Sequence, residues 1–470
     1  MRDADRTRTK AEGEPAGTGR RTDVVVVGAG ISGLTAAFRL QRRGWDVTVL
    51  EAADHVGGKM ASRVRDGYVL NRGATMIPQA FTVLTQLAAD AGLADSFKLA
   101  PLSFGIPREG RVLPLGGDGI GAAVRGVRTD LLSWRSKLLL RRLLTDLLRW
   151  RRRLGHDDFE AAGRLDTESV ASYAERRLNQ EIYEYVIDPL LRGIYLSEPS
   201  TMSVVDFFLT VGKFAEGGPM EYPNGIDFLA RRLASLVHVR TDATVSSISH
   251  IGSGVRTVWQ DAAGEHVIES RGCVIAVDGP TVLRIYPELT DRQRELIESI
   301  PYGSVLKGIF GLRRDPVHVP TMVAVPSGAG LGLGITNVDS RAMPQSVPKG
   351  KAVVSGHWVD DYAKKALGRP DGDLLPEMIR EMETIIPGLS EDLEFAEIER
   401  WETATNARHV GFYRTVAELR SSADPDDVIR LAGDYLGISG TNSSAEAGER
   451  AAAALARRLE SLYGSLRGGV

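Results

Sequence analysis

The sequence predicts an α/β protein in which a parallel, dinucleotide-binding sheet is interleaved with a second domain of α+β type. Three observations carry that prediction. A β-branched strand runs straight into a Gly-x-Gly-x-x-Gly turn, and a Gly-Asp turn ahead of a helix follows 400 residues after Gly33, at Gly433. The length of 470 residues is also too great for one ordinary core.

The strand is Thr22 to Val27, TDVVVV, a continuous apolar run of the kind buried on both faces of a parallel sheet. Gly28, Gly30 and Gly33 follow, with Ile31 and Ser32 between the last two. LTAAFRLQRRG then reads as an amphipathic helix closed by Gly44. WDVTVL is the second strand, with Glu51 and Ala52 at its end. Gly28 makes the tight turn, Gly30 lets the backbone approach a pyrophosphate, and Gly33 permits close helix–strand packing. Amides at the helix start face the phosphate charge. Glu51 accepts hydrogen bonds from a ribose diol and repels a 2′-phosphate, which favours FAD or NAD over NADP. A glycine loop that merely turns the chain is the plainer reading; the strand, helix and acid together set it aside.

Hydrophobic content of 43% and charged content of 25% are those of a soluble globular protein. A net charge of -3, from 58 basic and 61 acidic residues, argues against wholesale nucleic-acid binding. Cys273 is the only cysteine, which excludes an internal disulfide and a thiolate cluster for a metal or iron–sulfur centre. Residues 1–21 are charged, lack an apolar core and read as a disordered tail rather than a signal or span. The cytoplasm is the expected location. No Ser–His–Asp set, H-E-x-x-H or G-x-S-x-G motif is found, and the eight histidines are scattered.

After Glu51 comes AADHVGGKMASR, and here the sequence resembles the flavin amine oxidase superfamily, which includes monoamine and polyamine oxidases, protoporphyrinogen oxidases and phytoene desaturases. The resemblance implies a two-dinucleotide-binding fold with a Rossmann-like FAD domain and non-covalent FAD. It implies that Gly57, Gly58 and Lys59 wrap the diphosphate and ribityl chain; His55 stands where the family usually has arginine. Asn71-Arg72-Gly73-Ala74 looks like the segment beside the flavin ring, and Thr75 is counted with Gly73 and Ala74 as a cofactor contact. Near the C-terminus, VIRLA, Gly433-Asp434 and YLGISGTNSSAEAGERAAAAL resemble the family's closing motif. By that likeness Asp434 bonds the ribityl–diphosphate region, Thr441 and Asn442 touch the cofactor, and the helix start faces the flavin pyrimidine. Ser443 and Glu446 fit a capping box, which puts the helix start at Ser443 from the residues alone. In the middle, EYPNGIDFLARRLASL and VHVRTDATVSSISH resemble the family's turn, helix and strand, with the Val245 backbone meeting the adenine. GCVIAVDGP resembles the strand re-entering the FAD domain, which places Cys273 inside a packed, inert position.

Alternation over residues 300–310 (IPYGSVLKGIF) puts Val305, Lys307 and Ile309 on one strand face, making Lys307 an inward charge in need of a partner. In amine oxidases of the superfamily a lysine at the matching place holds a water near flavin N5 and assists reoxidation by dioxygen. Residues 183–208 pull toward the protoporphyrinogen oxidase pattern, as do Trp401-Glu402-Thr403-Ala404 and Gly411. Trp401 is a candidate packing partner of the flavin, or an ordinary core tryptophan. That pattern's proline, tyrosine and histidine are replaced by Asn406, Arg408 and Phe412, which rewrites the expected substrate-pocket wall. The glycine-rich run 328–334 lacks a flanking strand–helix pair and reads as a hairpin or pocket loop. With one dinucleotide fingerprint, the expected electron acceptor is dioxygen or another diffusible molecule.

Residues 125–153 combine leucines and tryptophans with many arginines. Leu131, Trp134, Leu138, Leu147 and Leu148 are expected on one helix face, with Arg135, Arg141, Arg142 and Arg149 largely on the other. The readings are a substrate-domain helix with a solvated basic face, a peripheral contact with anionic lipid, or recognition of an acidic substrate or partner. The FAD domain is expected from 22–80, 220–300 and 401–470, and the substrate domain from 81–219 and 301–400. The expected reaction is hydride removal from a C–N bond of a largely apolar small molecule. The alternatives are C–C dehydrogenation in a tetrapyrrole, polyene or other secondary metabolite, and flavin-dependent isomerisation.

Overall fold

The structure is a computed structural model that describes residues 22–100, 103–115, 130–151, 158–214 and 218–464. The expected tail at 1–21 lies outside the described residues. Val24–Val27 is wholly buried and sits at the centre of a five-stranded sheet. Its strands run, in spatial order, Ile429–Leu431, Gly272–Ile275, Val24–Val27, Val47–Leu50 and His238–Arg240. All four pairings are parallel, and the three inner strands are buried on both faces, which is why the four-valine run needs no alternation, while the edge strand His238–Arg240 is largely exposed. Cys273 lies beside Val25 in this sheet, and burial pushes its thiol up to about 12.

Helix Ile31–Gln41 lies against the long helix Thr441–Tyr463. Gly448 permits the approach, because a Cβ there would overlap the Ser32 carbonyl oxygen. The long helix starts at Thr441, after Gly440, with no side-chain cap, so the expected capping box at Ser443 and Glu446 does not form. Gly440, at φ 153°, turns the chain into the helix earlier, and Ser443 is buried in the first turn. Asn442 directs its side-chain oxygen across the interface to the amide of Leu84 at 3.1 Å.

A meander of Thr244–Ile251, Gly254–Asp261 and Gly264–Ser270 adjoins the parallel sheet, with a bulge between Val245 and Ser247. The largest sheet has seven strands, ordered Leu393–Asn406, Tyr302–Leu312, Ala352–Val359, Leu333–Asn337, Met322–Ala324, Phe104–Arg108 and Arg111–Leu115. Its neighbours are antiparallel except the pair Met322–Ala324 and Phe104–Arg108. Helix Asp371–Ile385 covers one face, with Met378 against Gly308 and Met382 against Gly356. Strand Leu393–Asn406 is continuous, so residues 401–406 belong to this sheet. The glycines at 328–334 fall in the connection of a hairpin, a short 3₁₀ turn at Ser327–Ala329 and the start of strand Leu333–Asn337.

Trp134–Arg151 is helical, while 125–129 and 152–153 lie outside the described residues. Its inward side is only partly the one expected: Leu131, just ahead of the helix, is buried and Leu147 packs inward, but Trp134, Leu138 and Leu148 do not. Leu143 is buried, Leu139, Leu140, Leu147 and Trp150 are packed against the core, and Trp134, Leu138 and Leu148 point outward among the arginines. Two apolar stripes exist on this helix, and the one holding Trp150 meets Phe208, ring on ring at 4.2 Å. Among the described residues no helix is long and apolar enough to cross a membrane, and no cluster of potential ligands could hold a metal.

Candidate active site

The three glycines of the first turn differ in what surrounds them. A Cβ on Gly28, whose φ is 97°, would lie 2.6 Å from the Ala276 carbonyl oxygen, and one on Gly33 would overlap the Gly28 carbonyl oxygen. A Cβ on Gly30 would meet no heavy atom within 4 Å. Gly28 and Gly33 are therefore fixed by protein packing, whereas Gly30 faces open space in front of the helix start. Ile31 and Ser32 open that helix, and Ser32 Oγ is buried with no hydrogen-bond partner. The second turn closes on the first: the Gly57 amide donates to Ala29 O at 2.9 Å, and Gly58 (φ 53°) sits against the Gly30 Cα.

Glu51 ends the second strand beside these turns. Its carboxylate accepts the amides of Ala29 at 2.6 Å and Ala53 at 2.9 Å, and Ala52 between them is exposed. The Ala243 amide donates to Glu51 O at 2.8 Å, which brings the start of the strand carrying buried Val245 to the same end of the sheet.

Farther along, Lys59 Nζ lies 2.6 Å from Asp434 Oδ2, and the Tyr302 hydroxyl donates to Asp434 Oδ1 at 2.6 Å. The ammonium also stands 5.1 Å from the Tyr302 ring centre. Burial first, then the Asp434 carboxylate, holds the Tyr302 hydroxyl well above its ordinary range, so it stays a donor. Gly433, at φ 140°, would place a Cβ 2.7 Å from Val277 O, so this turn also requires glycine. Asn406 Nδ2 donates to the carbonyls of Asp434 at 2.9 Å and Gly437 at 3.0 Å, tying the large sheet to the closing turn. Beyond it, Thr441 Oγ1 is buried without a partner, and Gly440 has open space on its Cβ side.

Between these ends runs the segment Asn71 to Thr75. Lys307 is fully buried, and its Nζ donates to Asn71 O at 2.6 Å and Gly73 O at 3.2 Å. Across the sheet it faces His357 and Glu399, with Asp339 Oδ2 at 3.9 Å. Burial pulls the Lys307 ammonium below its ordinary range and pushes the Asp339 carboxyl up, so each is drawn toward its neutral form. Burial and then the Lys307 charge push His357 down to about 3. Trp401 Nε1 donates to Arg72 O at 3.0 Å, and its ring edge limits the space at Gly73. Glu399 receives Arg72 through two bonds of 3.0 and 3.1 Å. The Ala74 amide donates to Lys59 O at 2.9 Å, and the Tyr222 hydroxyl to Thr75 O at 2.7 Å. His55 bonds Arg72 at 2.9 Å.

Arg408 and Phe412 depart from the expected pocket wall. Arg408 is buried, 2.8 Å from Asp206 and with its guanidinium 3.7 Å from the Tyr195 ring centre. Burial pushes Asp206 up to about 6 against the lowering effect of Arg408. Phe412 opens the buried side of helix Phe412–Ser421 and packs edge-on against Tyr413. A guanidinium without water needs an anion, and helix Val204–Phe214 supplies one, so Arg408 turns inward. Of the three, Asn406 is the one whose bonds reach the closing turn. Tyr302 and Asp339 were not singled out from sequence; the partners that give them meaning lie 132 residues away in Tyr302's case and 32 in Asp339's.

The orphaned hydroxyls of Ser32 and Thr441, together with the open cradle at Gly30, fit an elongated polar ligand laid from Glu51 to the long helix, as FAD would lie. The flavin containing amine oxidoreductase family matches residues 31–456. Protoporphyrinogen oxidase 2 of Arabidopsis thaliana is 33% identical over 187 residues, 39% of this chain and 35% of that protein, so the likeness spans about a third of that relative. Coproporphyrinogen III oxidase of Bacillus subtilis (strain 168) is 21% identical over 473 residues, covering 90% of this chain and 93% of the relative. The solved cyclohexylamine oxidase from Brevibacterium oxydans IH-35A has a TM-score of 0.74 at 20% identity, covering 94% of this chain and 100% of that one. At that identity the likeness speaks for the fold alone.

Proposed function

Since the chain belongs to the flavin containing amine oxidoreductase family and is an FAD-dependent oxidoreductase, we propose that it oxidises the C–N bond of a largely apolar amine, taking a hydride from the carbon while the nitrogen gives up a proton. The amine leaves as an imine, and dioxygen takes the electrons and leaves as hydrogen peroxide. FAD supplies the two-electron acceptor. The residues do the rest. Gly30, Gly58 and the helix start at Ile31 give the pyrophosphate a close, amide-rich approach, and Lys59, Tyr302 and Asp434 hold the ribityl region. Lys307, anchored on the carbonyls of Asn71 and Gly73, fixes the segment expected beside the ring. Its depressed proton affinity suits it to hold a water or pass a proton at Nζ. The two domains of this reading are an FAD domain and a substrate domain interleaved along the chain, with residues 401–406 going to the substrate domain's sheet.

The observation that carries the amine reading is the fully buried Lys307 beside Gly73. Its test is a screen of amines, tetrapyrroles and polyenes for peroxide release, paired with stopped-flow spectroscopy of Lys307→Met. The expected outcome is peroxide from an amine, with reoxidation slowed at least about tenfold in the variant while anaerobic bleaching by substrate persists. Unchanged reoxidation in Lys307→Met removes the argument for an oxidase. A second reading, C–C dehydrogenation of a porphyrinogen, is favoured by the names of the sequence relatives; peroxide release with a porphyrinogen alone would select it. Turnover without net bleaching under anaerobic conditions would select an isomerase.

A further inference from the structure

The outward arc of helix Trp134–Arg151 presents Trp134, Leu138, Leu144 and Leu148 at 67%, 48%, 58% and 55% exposure. At 3.6 residues per turn these four form one stripe, and Arg135, Arg142 and Arg149, seven residues apart, form an exposed row along its edge. Arg141 lies within the stripe and is exposed as well. The single acid of the helix, Asp146, is turned inward, where it accepts Tyr173 Oη at 3.0 Å and two Arg177 bonds at 2.9 Å. Arg149 approaches that carboxylate only to 3.7 Å and stays largely exposed. The inner side is fully engaged: Trp150 stacks on Phe208, and Ser136 takes Glu181 and Asn179. The outer arc thus carries apolar groups and cations with no acid among them.

We infer that this arc lies on the surface of an anionic lipid leaflet, with the apolar stripe in the headgroup–acyl boundary and the arginine row among lipid phosphates. Charge decides the occupant. A second copy of this chain would set the arginine row against itself across a twofold axis, and a nucleic acid would leave a tryptophan and three leucines in water. An anionic leaflet satisfies both halves of the arc at once. The helix lies on the membrane rather than through it, since its cations exclude it from the hydrocarbon interior.

The test is co-sedimentation of the FAD-loaded full chain with phosphatidylcholine vesicles, with and without phosphatidylglycerol, at low and high salt. The wild type should bind only the phosphatidylglycerol vesicles, and high salt should release it. Each cation near such a surface multiplies partitioning about fivefold, so the triple variant Arg135→Gln, Arg142→Gln, Arg149→Gln should bind on the order of a hundredfold more weakly. Trp134→Gln with Leu148→Gln should weaken binding to phosphatidylglycerol vesicles at low salt, although every arginine is kept. FAD content and melting temperature report folding of both variants; should one misfold, the lipid and salt dependence of the wild type decides alone. No binding to anionic vesicles, equal binding to neutral ones, or undiminished binding by the folded triple variant overturns the inference. So does a dimer, seen by sedimentation velocity, that Leu148→Gln disperses in a protein that ignores vesicles.

Discussion

Gly30 and Gly33 stand three residues apart, yet they answer to different constraints. Nothing in the protein opposes a methyl group at Gly30, whereas one at Gly33 would enter the Gly28 carbonyl. Gly30→Ala should therefore fold with a nearly unchanged apo melting temperature and lose FAD affinity by about tenfold or more, read by fluorescence titration. Gly33→Ala should lose roughly 1–3 kcal/mol of stability even without cofactor; equal behaviour of the two variants would refute the distinction. Tyr302→Phe removes one of the two partners of Asp434. FAD should dissociate from it several-fold faster, while stability of the apo form changes by only about 1 kcal/mol. The glycines and Glu51 were legible in the sequence because their meaning is local, a strand, a turn and a helix in unbroken order. Tyr302 and Asp339 were not, because no local pattern marks a residue whose partner arrives from a distant part of the chain.

Elements are joined at the surface by contacts that titrate. His250, on the first meander strand, bonds Glu288 and Asp427, the latter two residues before strand Ile429–Leu431. Burial lowers its proton affinity, but Asp427 and Glu288 outweigh that and leave it raised above 6.5. A raised histidine adds stability that is fully present below the unfolded value near 6.5 and is lost as pH climbs through the higher folded one. The melting-temperature gap between wild type and His250→Gln should accordingly be widest in mild acid and shrink in mild alkali. A gap independent of pH would show that the carboxylates do not grip a cation there. Screening by solvent keeps the effect small, since the ring is part exposed. Helix Trp134–Arg151 shows where elements resist sequence reading. Periodicity announced a helix, but two apolar stripes competed for the core, and the partner ring of Phe208 decided between them. The start of the C-terminal helix was likewise displaced by a glycine turn that a capping pattern alone does not reveal.

At the scale of the whole molecule, the candidate site draws on Gly28–Gly33, Glu51–Lys59, Asn71–Thr75, Val245, Tyr302–Lys307, Trp401–Asn406 and Gly433–Asn442. A ligand touching so many segments binds the folded state alone, so FAD should stabilise by roughly 2.7 kcal/mol at a hundredfold excess over its Kd. Calorimetry should show the melting temperature climbing with the logarithm of FAD concentration; an FAD-independent value would mean that these segments do not share one ligand. The interleaving was readable because both halves of the motif carry glycine turns, whereas the pocket wall was not, since Arg408 found Asp206 instead of open space.

The placement of Gly272–Ile275 beside the first strand, and of Ile429–Leu431 on its far side, has an outcome for biosynthesis. A ribosome adds roughly 5–20 residues per second, so the opening βαβ unit waits on the order of tens of seconds for the last strand of its sheet to emerge. During that interval the nascent chain offers a bare sheet edge to chaperones and proteases. A stalled, shortened product would stay colourless and be cleared, which leaves completion of translation as the gate to cofactor capture.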